Sequence, residues 1–295
     1  MVRPHLPEAD RLIGVRHPVL SHGYVVLVDY MGSDSSIVQA ARVSYGMGTK
    51  SVRDDQGLIR YLMRHRHTTP FEMVEFKFLI RLPIYVARQM IRHRLSSTNE
   101  YSARYSIVPD EYEVPSAEEI RHQSTRNRQG RGEPTSPEVA AKFRSDLDRV
   151  AREAYAAYSE ALAAGVARET ARALLPVAFY TQWYWKANLH GIFHFLSLRL
   201  DPHAQEEIRL YAAEMAKVVK VVCPVAYAAF EDFTLSGIPF GQKEQRALRA
   251  LLDGATPESA CATAGLPLQR EDGKPMSSGE GVEFLEKLDR IRRLN

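Results

Sequence analysis

The stretch Val74-Glu75-Phe76-Lys77-Phe78-Leu79-Ile80-Arg81, with Leu82, Pro83 and the run Ile84 to Arg92 behind it, decides the fold class. Its even positions are apolar, and Glu75, Lys77 and Arg81 are charged, which is the alternation of a strand with one wet face. Pro83 ends that strand and suits the first turn of a helix over Ile84 to Arg92. Upstream, His22 to Tyr30 is β-branched and aromatic and reads as another strand. Gly32-Ser33-Asp34 then offers a turn and a cap for a helix from Ser35 to Tyr45. Asp54 and Asp55 precede Leu58, Ile59, Leu62 and Met63, whose spacing predicts an amphipathic helix to about Arg64.

Downstream, Asp110 to Pro137 is rich in Arg, Gln, Ser, Gly and Pro, with Arg121, Arg126, Arg128 and Arg131 among few apolar residues; a mobile loop or insertion is expected. Pro137 to Ala164 reads as one long helix stopped near Gly165, and a shorter helix follows over Ala167 to Leu175. Phe179 to Trp185 suits a buried strand, before helices over His190 to Leu198 and His203 to Val222. Short helices at Lys243 to Leu252, Pro257 to Ala264 and Gly281 to Arg293 complete the chain. The expected organisation is one domain over residues 1–236, with an insertion at about 110–137, and a helical C-terminal extension over 237–295.

Composition narrows the function. The 295 residues are 45% hydrophobic and 25% charged, as in an ordinary globular protein. A net charge of +3 excludes a grossly basic nucleic-acid coat and an acidic disordered tail. Met1 to Ala9 lacks the pattern of a secretory signal, and runs such as Tyr24 to Val28 are too short for a bilayer span. Cys223 and Cys261, the only cysteines, make neither a disulfide framework nor a four-thiolate zinc site, so a cytoplasmic protein is expected.

The densest polar cluster runs from Arg92-His93-Arg94 through Asn99-Glu100-Tyr101-Ser102-Ala103-Arg104 to Ser106, at the end of a helix. Its guanidinium forks, amide, carboxylate and hydroxyls suit a phosphate or the edge of a planar heterocycle. Gln89 and Arg92, at i and i+3, share a helix face. A solvated, capped helix end is the plain alternative.

Arg-His-Arg, seven residues, then Ser102 resembles the signature of the flavin-dependent thymidylate synthases, and the likeness runs from about Ser21 to Phe233. His65-Arg66-His67-Thr68-Thr69-Pro70-Phe71-Glu72, Arg168-Glu169 with Arg172, and Asn188 through Phe195-Leu196 to Leu198-Arg199 are similar to further family segments in the same order. The elements themselves read as α/β (α+β), with a mixed or antiparallel sheet and a large helical share, and the resemblance strengthens that reading. It implies an FAD-dependent methyltransferase that converts dUMP to dTMP. 5,10-Methylenetetrahydrofolate would supply the one-carbon unit, and FAD reduced by NADPH the hydride. No enzyme cysteine is needed, and neither thiol has a His or Arg neighbour to activate it.

By the same resemblance, Gln89, Met90, Ile91, Arg92, Glu100, Tyr101, Ser102, Ala103, Arg104, Arg172 and Arg199 would contact dUMP, Ser102 and Arg104 at the phosphate. Arg199 is the catalytic position, a fixed cation drawing the uracil N3 toward its ionised form. Thr69, Arg92, His93, Arg94, Glu100, Asn188, Leu189, His190 and His194 would contact FAD. His190 stands where many members carry Arg, and His194 where many carry Asn. A homotetramer with shared sites is implied, and neither a membrane nor a nucleic acid is an expected partner. His190 and His194 share a helix face as zinc ligands do, but no Glu sits between them and no metal is expected. Two alternatives compete: a nucleic-acid-binding module, suggested by Arg121 to Arg131 and the tail helices, and a flavoprotein that reduces another substrate.

Overall fold

The computed structural model describes residues 5–43, 55–125 and 130–294. Tyr45, Asp54, Arg126 and Arg128 of the expectations above lie outside the described residues. The chain divides into two compact units, Met1–Gln123 with Gly130–Leu235, and Ser124–Gln129 with Ser236–Asn295.

The larger unit opens with α1 (Pro7–Asp10), β1 (Arg16–Val19), β2 (Gly23–Met31), α2 (Asp34–Val43) and α3 (Asp55–Arg64). A 3-10 turn at Thr69–Met73 leads into β3 (Glu75–Pro83), α4 (Ile84–Met90) and β4 (Ser97–Glu100). A hairpin of β5 (Arg121–Gln123) and β6 (Arg131–Pro134) precedes the long α5 (Pro137–Ala163). Then come α6 (Arg168–Ala171), β7 (Tyr180–Asn188), α7 (Leu189–Arg199), α8 (Glu206–Val222) and α9 (Pro224–Phe230). The smaller unit consists of α10 (Gln242–Leu252), α11 (Pro257–Ala264) and α12 (Glu280–Arg292), packed around Ala247, Ala260, Cys261 and Phe284. No described helix is long and apolar enough to cross a membrane.

The main sheet has five strands in the order β1-β2-β3-β7-β4, and each neighbouring pair is antiparallel. This is the α/β class expected. Phe76, Phe78, Ile80 and Leu82 of β3 are fully buried, so the alternation read from the sequence marks the core face correctly. On β7 the partners of Phe76, Phe78 and Ile80 are Ala187, Trp185 and Trp183, also buried, while Tyr184 and Lys186 face outward. Of the aromatic run, Phe179, Tyr180, Trp183 and Trp185 are therefore core and Tyr184 is not, each buried side chain contributing roughly 2–3 kcal/mol. Against this face pack Ile192, Phe193, Phe195 and Leu196 of α7 and Ile208, Tyr211, Ala212, Met215, Val218, Val219 and Val222 of α8, at helical spacing.

Several expectations need correction. The Asp110 to Pro137 stretch is not simply a loop, because β5 and β6 pair within it. The second expected helix after Gly165 is shorter, α6 giving way to a 3-10 turn at Arg172–Leu174. α8 starts at Glu206 instead of His203, since the His203 N–H and ring bind Asp201 Oδ1 in a turn of their own. Asp34 caps a different helix from the one expected: its carboxylate accepts the Val225 and Ala226 N–H groups, each at 2.9 Å, at the start of α9.

Candidate active site

α4 ends at Met90, two residues short of the expected Arg92, and the turn after it opens the polar cluster. The Arg92 and His93 N–H groups bond back to the Gln89 and Met90 carbonyls, and Ser96 Oγ donates to His93 O at 2.7 Å. The polar cluster then forms an edge strand: Ser97, Thr98, Asn99 and Glu100 pair with Lys186, Trp185, Tyr184 and Trp183. Gly191 lets α7 approach this turn, because a Cβ there would lie 2.8 Å from Leu95 O.

α7 supplies the other half. Asn188 Oδ1 accepts the Gly191 N–H at 2.8 Å, capping the helix and leaving its amide nitrogen as the donor for a ligand. Leu189 is fully buried, His190 half-buried and His194 exposed. At the far end Arg199 Nε donates to His93 Nε2 at 2.9 Å. His93 is 7% exposed and set edge-on to Phe195. Burial, then the Arg199 cation, then His194, push its pKa from 6.5 down to about 4, so the ring is neutral at pH 7. Accepting at Nε2 places its proton on Nδ1. Burial alone lowers the Arg199 pKa, and among the described residues no carboxylate pairs with it. Arg92 and Arg94 stand exposed beside this couple.

Along the face of α4 that carries Ile84, Ala87 and Arg88 lies a cavity of about 530 Å³, of the size that holds a nucleotide. Ile91, Glu100, Tyr101, Ala103 and Arg172 line it, joined by Arg88, Glu169, Thr181 and Trp183. Thr181 Oγ1 donates to Glu100 Oε1 at 2.7 Å, and the Tyr101 N–H to Gln182 O at 2.7 Å, which fixes the start of the loop on β7. Arg104 pairs with Glu169 at 2.8 Å, and Arg168 reaches Tyr105 O at 3.2 Å. Tyr155 and Tyr158 of α5 hold the Val108 backbone through their hydroxyls, both at 3.1 Å. The loop is thus gripped from both ends.

A second cavity, of about 820 Å³, is lined by Thr69 with His67, Thr68, Arg66, Tyr61 and Leu62 among others. His65 and His67 are exposed and cluster with Tyr61, ring centroids 4.4 and 5.9 Å from it. Among the described residues no group of three or more His, Cys, Asp or Glu is arranged around a metal ion.

The structure therefore brings the expected residues together in groups. His194 and Arg199 of α7 meet His93 in the turn after α4, where Arg92 and Arg94 flank it in sequence, and Gln89 points to Gln205. Ile91, Glu100, Tyr101, Ala103 and Arg172 share the first cavity, with Ser102 and Arg104 on its loop. Thr69 lies in the second cavity, and Met90 is core. Sequence reasoning missed Arg88 and Thr181. The spacing Ile84, Ala87, Arg88, Ile91 puts Arg88 on the cavity face and could have shown it; Thr181 depends on long-range pairing and could not.

Residues 26–225 match the family model described as thymidylate synthase complementing protein. Over 242 residues the chain is 52% identical to the flavin-dependent thymidylate synthase of Ruegeria pomeroyi, covering 81% of this chain and 80% of that one. The chain belongs to the flavin-dependent thymidylate synthases. The synthase is 54% identical over 249 residues to the enzyme of that name from Thermus thermophilus, covering 84% of this chain and 90% of that one. Its fold is similar to a crystal structure of the UMP/dUMP methylase PolB from Streptomyces cacaoi bound with 5-Br UMP. The TM-score is 0.67 at 37% identity, over 74% of this chain and 98% of that one. These relatives bear out an enzyme, a flavin cofactor and a methyltransferase, and support neither the nucleic-acid-binding nor the reductase alternative.

The synthase's thiols agree with a route that needs no cysteine nucleophile. Both are buried and free, burial being the first cause that raises each pKa and a nearby carboxylate, Asp34 or Glu258, the second. Changing Cys223 and Cys261 together to Ala is expected to leave thymidylate synthesis within about threefold of wild type. Complete loss in a folded, flavin-loaded variant would point to a thiol mechanism.

Proposed function

We propose that the synthase methylates dUMP to dTMP, taking the one-carbon unit from 5,10-methylenetetrahydrofolate and the hydride from FAD reduced by NADPH. The observation that carries this reading is the presence, at the end of α4, of the 530 Å³ cavity and of Arg199 held by a neutral His93 with no carboxylate partner among the described residues. Ser102, Arg104 and Arg172 supply a hydroxyl and two guanidinium forks for the phosphate. Arg88 adds a third cation on the cavity wall. Met90 contributes through backbone only, its side chain being core.

Arg199 acts on the uracil ring. Its partner His93 is neutral, so the arginine's full positive charge remains available to negative charge developing at N3 and O4, which raises the nucleophilicity of C5. Glu100, held by Thr181, orients the nucleotide and the flavin between the two groups of residues. The donors of Arg92, His93, Arg94, Thr69, Asn188, His190 and His194, with the Leu189 backbone, fit FAD: cations for its diphosphate, amide, hydroxyl and imidazole for its rings. When bound, that cofactor supplies the hydride.

The ligands stand on two faces of one short helix, Gln89 on the α8 side and Ile91 on the cavity side. A site shared between subunits of a homotetramer would let one nucleotide touch both sets. The exposed stripe Val139, Phe143 and Val150 on α5 gives such an assembly an apolar face. Two free thiols fit a cytoplasmic enzyme. The helical extension over 237–295 is proposed as a separate domain.

The test is the visible spectrum of the purified protein and its anaerobic bleaching by NADPH with and without dUMP. Bound flavin, bleached faster when dUMP is present, is the expected result. Failure to retain added FAD would remove the central part of this reading.

A further inference from the structure

Arg131 belongs to β6, in the insertion whose hairpin is closed by Gln123 Nε2 donating to Gly130 O at 3.0 Å and Thr135 N–H to Ile120 O at 3.1 Å. Its guanidinium reaches α8, with Nη2 2.5 Å from Glu207 Oε1 and Nη1 3.7 Å from Glu206 Oε2. Glu207 is 3% exposed, and its Oε2 is buried with no hydrogen-bond partner. Its Oε1 also accepts from Tyr85 Oη, at 3.4 Å. Tyr85 lies one turn before Gln89 on α4, and Gln89 Nε2 donates to Gln205 Oε1, immediately ahead of α8. Two successive rungs, Tyr85 to Glu207 and Gln89 to Gln205, thus join α4 to the first turn of α8. A buried carboxylate is tolerated only with a countercharge, and Arg131 is the cation in contact with this one.

We propose that Arg131 is a positioning residue for the nucleotide: by neutralising Glu207 it holds the start of α8 against α4 and so presents the Gln89 amide to the pyrimidine nucleotide. The inference rests on the reading of Gln89 as a dUMP ligand. Arg131 touches no substrate itself. It gives the hairpin a role in affinity and none in the chemical step.

The experiment uses the full-length, flavin-loaded enzyme and measures dUMP affinity by calorimetry, with KM and kcat alongside, for Arg131→Ala, Arg131→Ala/Glu207→Gln and Gln89→Ala. Arg131→Ala is expected to weaken dUMP binding and raise its KM about tenfold, with kcat within about twofold and flavin content unchanged. Adding Glu207→Gln removes the stranded charge and is expected to restore affinity to within about threefold of wild type. Unchanged affinity in Arg131→Ala overturns the proposal, as does a loss that Glu207→Gln fails to relieve. If Arg131→Ala is insoluble, the double variant decides: near-wild-type affinity supports the proposal, and affinity as weak as Gln89→Ala overturns it. Gln89→Ala separates the two levels. Full dUMP affinity there removes the ligand reading itself, whereas a loss there with none in Arg131→Ala removes only the role of Arg131.

Discussion

Arg199→Lys is expected to lower dTMP formation by about 10²–10³-fold while flavin stays bound. The reason is the division of labour within the guanidinium. Nε is fixed on His93 at 2.9 Å, which aims the rest of the planar fork away from the histidine. A lysine keeps one charge on a flexible stem, so it cannot hold the imidazole and present a fork in a set direction at once. Its ammonium is also more strongly hydrated and would draw water toward His93. Flavin content, read from absorbance, separates a lost catalytic charge from a lost cofactor site, because, of the proposed FAD contacts, Arg199 bonds only His93. Turnover of dUMP at the wild-type rate would show that the pyrimidine is polarised elsewhere.

The fold was legible where burial follows sequence period. In β3 the even positions are core and the odd ones wetter, and in α8 the apolar residues recur at three and four. β4 was illegible for the opposite reason. Ser97-Thr98-Asn99-Glu100 is wholly polar and exposed, and only its ladder with β7 makes it a strand. β1, which contains Pro18, is likewise a short edge strand, and α9 follows α8 so closely that Pro224 alone marks the break. In the candidate site, the Arg-rich cluster announced itself by composition, and the family resemblance assigned its members. What the chain order concealed was direction: Gln89 and Ile91 lie two residues apart yet face different elements. Thr181 and Glu207 act through partners more than 75 residues away in sequence, which no local pattern reveals.

Between pH 6.5 and about 4 His93 is expected to cost the native state about 3 kcal/mol of stability. Above pH 6.5 the imidazole is neutral whether the chain is folded or unfolded, so its full contribution is present. As pH falls below that value the unfolded chain binds a proton that the folded chain refuses, and stability declines until the folded ring also protonates near pH 4. With 7% exposure the ring is little screened by solvent. Urea midpoints from pH 7 to 4.5 check this by comparing wild type with His93→Gln, which is neutral throughout. The wild type should lose stability more steeply, by up to about 3 kcal/mol over the range, and equal slopes would show that the native site accepts the proton readily. The same titration bears on catalysis. A protonated His93 would set a second cation against Arg199 and remove the lone pair at Nε2 that holds it, so the burial that makes His93 refuse a proton is also what keeps the Arg199 guanidinium in place.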